Sequence, residues 1–193
     1  MNIQNYINTI AKCSKPADGV TRLPFTNEHK NANQLLKKWM VDAGLKVSLD
    51  AAGTLIGKYI SPNKNSKTLL IGSHQDSGYN SGKYDGIMGI ILPIIALKEI
   101  NRKKINLPFN VEILAFADEE GVRFPTALMG PRSLAGTFNL KDLKLKDKTN
   151  ISIENALKKF GGNPSKINLL KRNKKKLLGF FETHIEQGPV LES

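Results

Sequence analysis

Residues 68–76, Thr68-Leu69-Leu70-Ile71-Gly72-Ser73-His74-Gln75-Asp76, decide how this chain of 193 residues is read. Thr68 to Ser73 is a short apolar run, the pattern of a strand buried on both faces. It runs out into an imidazole and a carboxylate. Two other apolar runs end the same way. Val111 to Ala117 leads into Asp118-Glu119-Glu120, and Leu177 to Thr183 leads into His184. In open sheets with parallel strands, ligands gather at the carboxyl ends of the strands, so three strand ends rich in metal-capable groups point to one site.

The segments between these runs read as helices and short strands. Residues 2–12 predict a short helix. Asn27 to Gly44 predicts a stronger one, with Ala32, Leu35, Leu36, Trp39, Met40 and Ala43 on one face and Gly44 as its stop. Lys46–Leu49 and Thr54–Ile60 predict two strands parted by Ala52-Gly53. Gly86 to Ile100 is apolar all round, as in a helix buried under a sheet, and Pro93 within it is expected to kink it. A stretch punctuated by Gly and Pro follows to Gly136 and reads as loop. Ile153–Phe160 predicts a last helix, stopped by Gly161-Gly162. The alternation specifies an α/β class with a mixed, largely parallel sheet flanked by helices.

Composition narrows the function. Apolar residues make up 40% and charged residues 24%, so the chain can build a packed core. One cysteine, Cys13, excludes an internal disulfide and a cysteine-based zinc finger. No apolar run is long enough to span a bilayer, and the polar start predicts no signal peptide; a cytoplasmic location and no membrane partner are expected. The net charge is +12, but only 5 of the 29 basic residues are Arg. Arg is the residue that reads bases and phosphates bidentately. The one dense basic run, Lys171-Arg172-Asn173-Lys174-Lys175-Lys176, reads as a solvated loop, so no specific nucleic-acid partner is expected.

His74 and Asp76, two apart at a strand end, are expected to point the same way. Asp76 is placed to brace the imidazole, as a metal-bound histidine requires. Asp85, just before the buried helix, is a candidate bridge between two metals; alone it reads as the N-cap of that helix. Glu119 and Glu120 are adjacent and should diverge, one ligating a metal and the other acting as general base. His184 closes the set. The third histidine, His29, stands between Glu28 and Lys30 and reads as a surface residue. His74, Asp85, Glu120 and His184 form a nitrogen and oxygen set suited to zinc, manganese or cobalt.

The motifs are more specific than the spacing. Gly72 to Ser77 and Ser81 to Gly86 resemble the metal-binding signature of the M20 peptidase family. Phe116-Ala117-Asp118-Glu119-Glu120-Gly121-Val122-Arg123-Phe124, Met129 to Gly136 and Glu182-Thr183-His184-Ile185-Glu186-Gln187-Gly188-Pro189 resemble its amidase branch. That branch holds allantoate amidohydrolases, N-carbamoyl-L-amino-acid hydrolases and β-ureidopropionases. Thr21 to Thr26 and Asp50 to Gly57 match as well; the likeness is weakest over residues 137–176.

The resemblance implies a zinc-exopeptidase-like fold and two divalent metal ions, zinc or manganese. His74 and His184 hold one ion, Asp85 bridges, and Glu120 binds the second. Glu119 is the general base, Asp76 supports His74, and Gln187 meets the carbamoyl or carboxylate end of a small-molecule substrate. Arg123 and Arg132 are expected to form structural ion pairs. The implied reaction is hydrolysis of a linear carbon–nitrogen bond other than a peptide bond. Residues 1–193 correspond to the N-terminal portion of the metal-binding domain. The family's lid and dimerisation domain, and its C-terminal part with a further histidine ligand, lie outside them. The full-length form is expected to be a homodimer, and the 193 residues alone to have little or no activity. Two other readings stand beside this one: an M20 aminopeptidase or dipeptidase, and a non-catalytic metal-binding or interaction module.

Overall fold

The computed structural model describes residues 2–192. Five helices and five strands carry the fold. In chain order they are α1 (Ile3–Ala11), α2 (Asn27–Asp42), β1 (Lys46–Leu49), β2 (Leu55–Tyr59), β3 (Thr68–His74), α3 (Ile87–Arg102), β4 (Asn110–Phe116), α4 (Met129–Ala135), α5 (Ile153–Phe160) and β5 (Leu177–Phe181). Short 3-10 turns fill much of the stretch from residue 140 to 176. No helix among the described residues is long and apolar enough to cross a membrane.

The five strands form one sheet in the order β1-β2-β4-β3-β5. β3 lies parallel to both β4 and β5, with His74 opposite Phe116. β1–β2 and β2–β4 are antiparallel. The sheet is mixed, and the three parallel strands are those whose ends carry the candidate ligands. Gly72 makes the β3–β4 contact possible. A Cβ there would lie 2.0 Å from the Leu114 carbonyl oxygen, so no side chain fits.

β4 is buried on both faces, and its alternation divides the core. Val111, Ile113 and Ala115 face α1, α2 and α3, where Ile10, Leu36, Met40, Ile90 and Ile94 pack. Leu114 and Phe116 face the other way, onto Ile56, Leu70 and Leu134 of α4. A third cluster joins Phe25, Phe124, Leu157 and Phe160. α3 runs unbroken as a helix through the buried Pro93.

Two expectations change here. The stretch before Gly136 is not all loop, because Met129–Ala135 is helical. Pro131 is its third residue, where an amide has no intrahelical partner to lose. The Ser133 hydroxyl donates to the Met129 carbonyl, and Gly136 at φ 74° ends the helix.

His29 is not a surface residue; its exposure is 0%. Its backbone N–H donates to the Thr26 hydroxyl that caps α2. Its Nδ1 accepts from the Phe25 amide at 3.0 Å, and its ring lies 4.5 Å from that of Phe160. Residues 29, 32, 36 and 40 share one face of α2, so the spacing that marked Ala32 also marks His29. Its charged neighbours Glu28 and Lys30 point elsewhere. Burial, followed by the charges of Arg22 and Arg123, lowers the His29 pKa to about 3.

Candidate metal centre at the parallel strand ends

His74 is the last residue of β3 and is 5% exposed. Its Nδ1 lies 2.9 Å from the carbonyl oxygen of Asp76. His184 follows β5, and its Nδ1 lies 2.8 Å from the carbonyl oxygen of Ile185. A carbonyl can only accept, so each Nδ1 carries a proton, and in the neutral ring that leaves Nε2 free to present a lone pair. The two Nε2 atoms face each other at 3.4 Å.

Asp85 supplies the third atom. Its Oδ1 lies 3.5 Å from His74 Nε2 and 3.2 Å from His184 Nε2. That oxygen is buried and accepts no hydrogen bond. Three atoms that can donate electron pairs therefore converge, an arrangement able to hold a cation. Donor atoms about 2.0–2.1 Å from a tetrahedral zinc ion stand roughly 3.3 Å apart, which matches these separations. The residues fit a divalent ion.

Asp85 is not the cap of α3. Gly86 takes the cap position, with no side-chain hydrogen bond, and Asp85 contributes only its backbone carbonyl to Ile87. Its carboxylate turns to the histidines instead. Gly86 makes this possible at φ 64°, where a Cβ would stand 2.3 Å from the His74 carbonyl oxygen and 2.6 Å from its Nε2.

Asp76 does a different job from the one its spacing suggested. β3 ends at His74, so the two-residue alternation stops there. The Asp76 carbonyl, not its carboxylate, holds the imidazole. The carboxylate is fully buried and accepts from the amides of Glu119 (3.1 Å) and Glu120 (3.3 Å). It thereby pins the end of β4 to the end of β3. Arg22, itself buried, ties the same loop down. Its Nε donates to the Gln75 carbonyl at 2.7 Å, and its NH1 donates to the carbonyls of Ile10 and Cys13 at the end of α1.

Glu119 lines an open cleft of about 970 Å³ together with His74 and Glu182. Burial pushes its carboxyl above the ordinary range; His74 opposes this, while Asp76, Glu182 and Asp85 add to the rise. A carboxyl raised in this way holds a proton more readily than an exposed one, which suits a general base that must also return the proton. Glu120 lies outside the triad of His74, Asp85 and His184. It sits where the charges of His74 and Asp85 act on it, and burial raises its pKa too.

Gln187 Nε2 donates to Asp85 Oδ2 at 3.0 Å. Arg123 pairs with Asp147 at 3.0 Å and Arg132 with Asp142 at 3.3 Å, the ion pairs expected of them.

Two residues lie in the motifs read from the sequence but carry no role of their own there. Glu182 accepts a hydrogen bond from the buried Ser73 hydroxyl, which fixes the end of β5 beside β3. Asp118, at φ 55°, is fully buried and neither carboxylate oxygen has a hydrogen-bond partner. Burial and the neighbouring Asp76 push its pKa well above the usual range. An Asp as the first residue after a buried strand was the signal available for it.

Comparison with known proteins agrees with this geometry. The chain is 39% identical over 178 residues to an N-carbamoyl-L-amino acid amidohydrolase of Geobacillus stearothermophilus, covering 92% of this chain and 44% of that protein. It is 40% identical over 190 residues to an allantoate deiminase of Arabidopsis thaliana, covering 96% of this chain and 36% of that protein. Among solved structures, AtUAH in complex with glyoxylate superposes with a TM-score of 0.90 at 34% identity, over 98% of this chain and 46% of that one. A hydantoinase/carbamoylase family amidase from Burkholderia ambifaria gives 0.87 at 30%, with the same coverage. The chain thus spans less than half the length of these relatives. The model of peptidase family M20/M25/M40 matches residues 71–193, which include every ligand and acid described above, and the chain belongs to that family.

Proposed function

We propose that this chain is the metal-holding part of a hydrolase of linear, non-peptide carbon–nitrogen bonds, with an N-carbamoyl-L-amino acid or allantoate as the type of substrate. The observation that carries the reading is the convergence of His74 Nε2, His184 Nε2 and Asp85 Oδ1 within 3.2–3.5 Å of one another. The names of the relatives support the substrate class.

In this reading His74, His184 and Asp85 hold one divalent ion, and Asp85 with Glu120 holds a second. The ions, zinc or manganese, supply Lewis acidity that polarises the substrate carbonyl and eases deprotonation of a water. Glu119 accepts the proton of the attacking water and returns it to the departing nitrogen. Its raised pKa fits both halves of that exchange. Asp76 keeps Glu119 and Glu120 in register with His74 through their amides.

The 193 residues alone are proposed to have little or no activity. The outer side of the site is open: Leu178, Phe180 and Phe181 of β5 are each at least 50% exposed, and a site in contact with bulk water loses electrostatic leverage. The test is a chimera in which this chain replaces the matching part of the Geobacillus relative. It should release amino acid from N-carbamoyl-L-amino acids, or ammonia from allantoate, and leave dipeptides intact. Cleavage of dipeptides would favour an aminopeptidase. A folded, metal-loaded but inert chimera would contradict the catalytic reading and favour a non-catalytic module.

A further inference from the structure

The ladder between β3 and β5 stops short of the candidate centre. Its last pair is Ile71 with Phe181. β3 continues without β5, paired to β4 as far as His74 opposite Phe116. His74 is thus held by its own strand and by the Asp76 carbonyl on its Nδ1. His184 lies beyond the end of β5, and its Nδ1 is held by its own neighbour, the Ile185 carbonyl.

Two contacts take over where the ladder stops. The buried Ser73 hydroxyl donates to the Glu182 carboxylate. Gly89 lets α3 close on the same place: a Cβ there would lie 2.5 Å from the Thr183 carbonyl oxygen and 2.8 Å from the Ser73 Cβ. The first turn of α3 is therefore a floor under the residue between Glu182 and His184, and the Ser73–Glu182 bond draws that segment against β3.

We propose that Ser73 and Glu182 are positioning residues for His184: their bond stands in for the ladder and sets the 3.4 Å spacing of the two Nε2 atoms. The proposal rests on the reading of His74, Asp85 and His184 as the holders of one ion. Without the bond His184 keeps its chemistry and loses its place, and part of the ion's binding free energy goes into ordering the segment. Removing a residue that supports a ligand commonly weakens metal binding by about 10–100-fold. Here the loss passes through His184 alone, because His74 is held independently.

The test uses the 193-residue chain, with Zn²⁺ affinity measured by titration under chelator competition. Ser73→Ala should bind at least about tenfold more weakly than wild type. Added to His184→Ala, it should cost nothing further. Glu182→Gln and Glu182→Ala both remove the charge, but only Gln keeps the acceptor, so Gln should bind zinc several-fold more tightly than Ala. In the metal-free chain the rings of His74 and His184, with centroids 5.6 Å apart, should give a proton–proton NMR contact that Ser73→Ala and Glu182→Ala lose. All variants are melted without metal, and Glu182→Ala, on an exposed residue, carries the comparison if Ser73→Ala unfolds early. Wild-type affinity in Ser73→Ala, a retained ring contact, or equal binding by the two Glu182 variants overturns the proposal. So does a further loss on top of His184→Ala, which would place the effect on His74; where His184→Ala binds too weakly to measure, the ring contact decides. A wild type that takes up no zinc overturns the metal reading, and the ring contact then tests the Ser73–Glu182 bond by itself.

Discussion

His74 and His184 present their Nε2 atoms to each other at 3.4 Å, and each ring is locked in that state by a backbone carbonyl on its Nδ1. The two residues are 110 positions apart and come from the ends of neighbouring parallel strands. With Asp85 Oδ1 beside them, the two nitrogens form a group able to hold a cation.

Asp76 should prove structural before it is chemical. Asp76→Ala leaves the amides of Glu119 and Glu120 without acceptors in a buried place. A hydrogen bond to a charged group contributes about 1.5–3 kcal/mol, so denaturant unfolding should show a loss of roughly 2–4 kcal/mol. Metal affinity should fall by about 10–100-fold, as for other residues that support ligands. Unchanged stability would show that the ends of β3 and β4 hold together without it.

His29 should make the fold sensitive to acid. Its pKa is lowered to about 3 in the folded chain, from an ordinary 6.5. Below pH 6.5 the unfolded chain binds a proton that the folded chain refuses. The stability that His29 contributes is thus complete above pH 6.5 and is lost as pH falls toward 3, at about 1.4 kcal/mol per pH unit. His29→Gln keeps an acceptor for the Phe25 amide and removes the titration. The difference in unfolding free energy between wild type and this variant should shrink by that slope from pH 6 to pH 4. A constant difference would contradict the burial of a neutral imidazole.

Much of this was legible in the sequence, for physical reasons. The apolar runs ending at Ser73 and Ala117 announced buried strands, because a strand covered on both faces lacks alternation; the run from Leu177 to Thr183 announced a strand too, but β5 ends at Phe181 and is largely exposed. His74 and His184 followed from strand ends in a parallel arrangement, and Asp85 from its place in the loop before α3 together with the family resemblance. What failed was local. Pro131 and Gly136 read as loop punctuation, although a proline in the first turn and a glycine at the end are compatible with a short helix. Asp85 was read as a bridging ligand, and only taken alone as a cap, because Asp before a helix usually is one; the positive φ of Gly86 turns its carboxylate away from the helix. Asp76 was assigned by alternation beyond the point where β3 ends. His29 was assigned by its charged neighbours in sequence, when its neighbours on the helix face, Ala32 and Leu36, decide burial.

Gly86 should tolerate no side chain. Gly86→Ala puts a Cβ against both the backbone and the ring of His74, and it does so at positive φ. Strain at such a position costs about 1–3 kcal/mol. The displaced ring should also lower metal affinity. A melting temperature and an isotherm equal to wild type would show that the turn relaxes without moving His74.

Glu119 should separate chemistry from binding. In the chimera with the Geobacillus relative, Glu119→Gln should retain the metal content of the parent and lose about 10²–10⁴-fold in kcat, the usual contribution of a general base. A variant within a few-fold of the parent would assign the proton transfer to another group, with Glu182 beside it in the cleft as the next candidate.

The most direct measurement of the central claim is a titration of the 193-residue chain with Zn²⁺, run beside His184→Ala under identical conditions. Wild type should bind at least one equivalent tightly. The variant should fold as wild type does in the absence of metal, yet bind that equivalent more than about 100-fold more weakly, a larger loss than removing a supporting residue causes. Equal affinity in the two proteins would contradict a centre built from His74, Asp85 and His184.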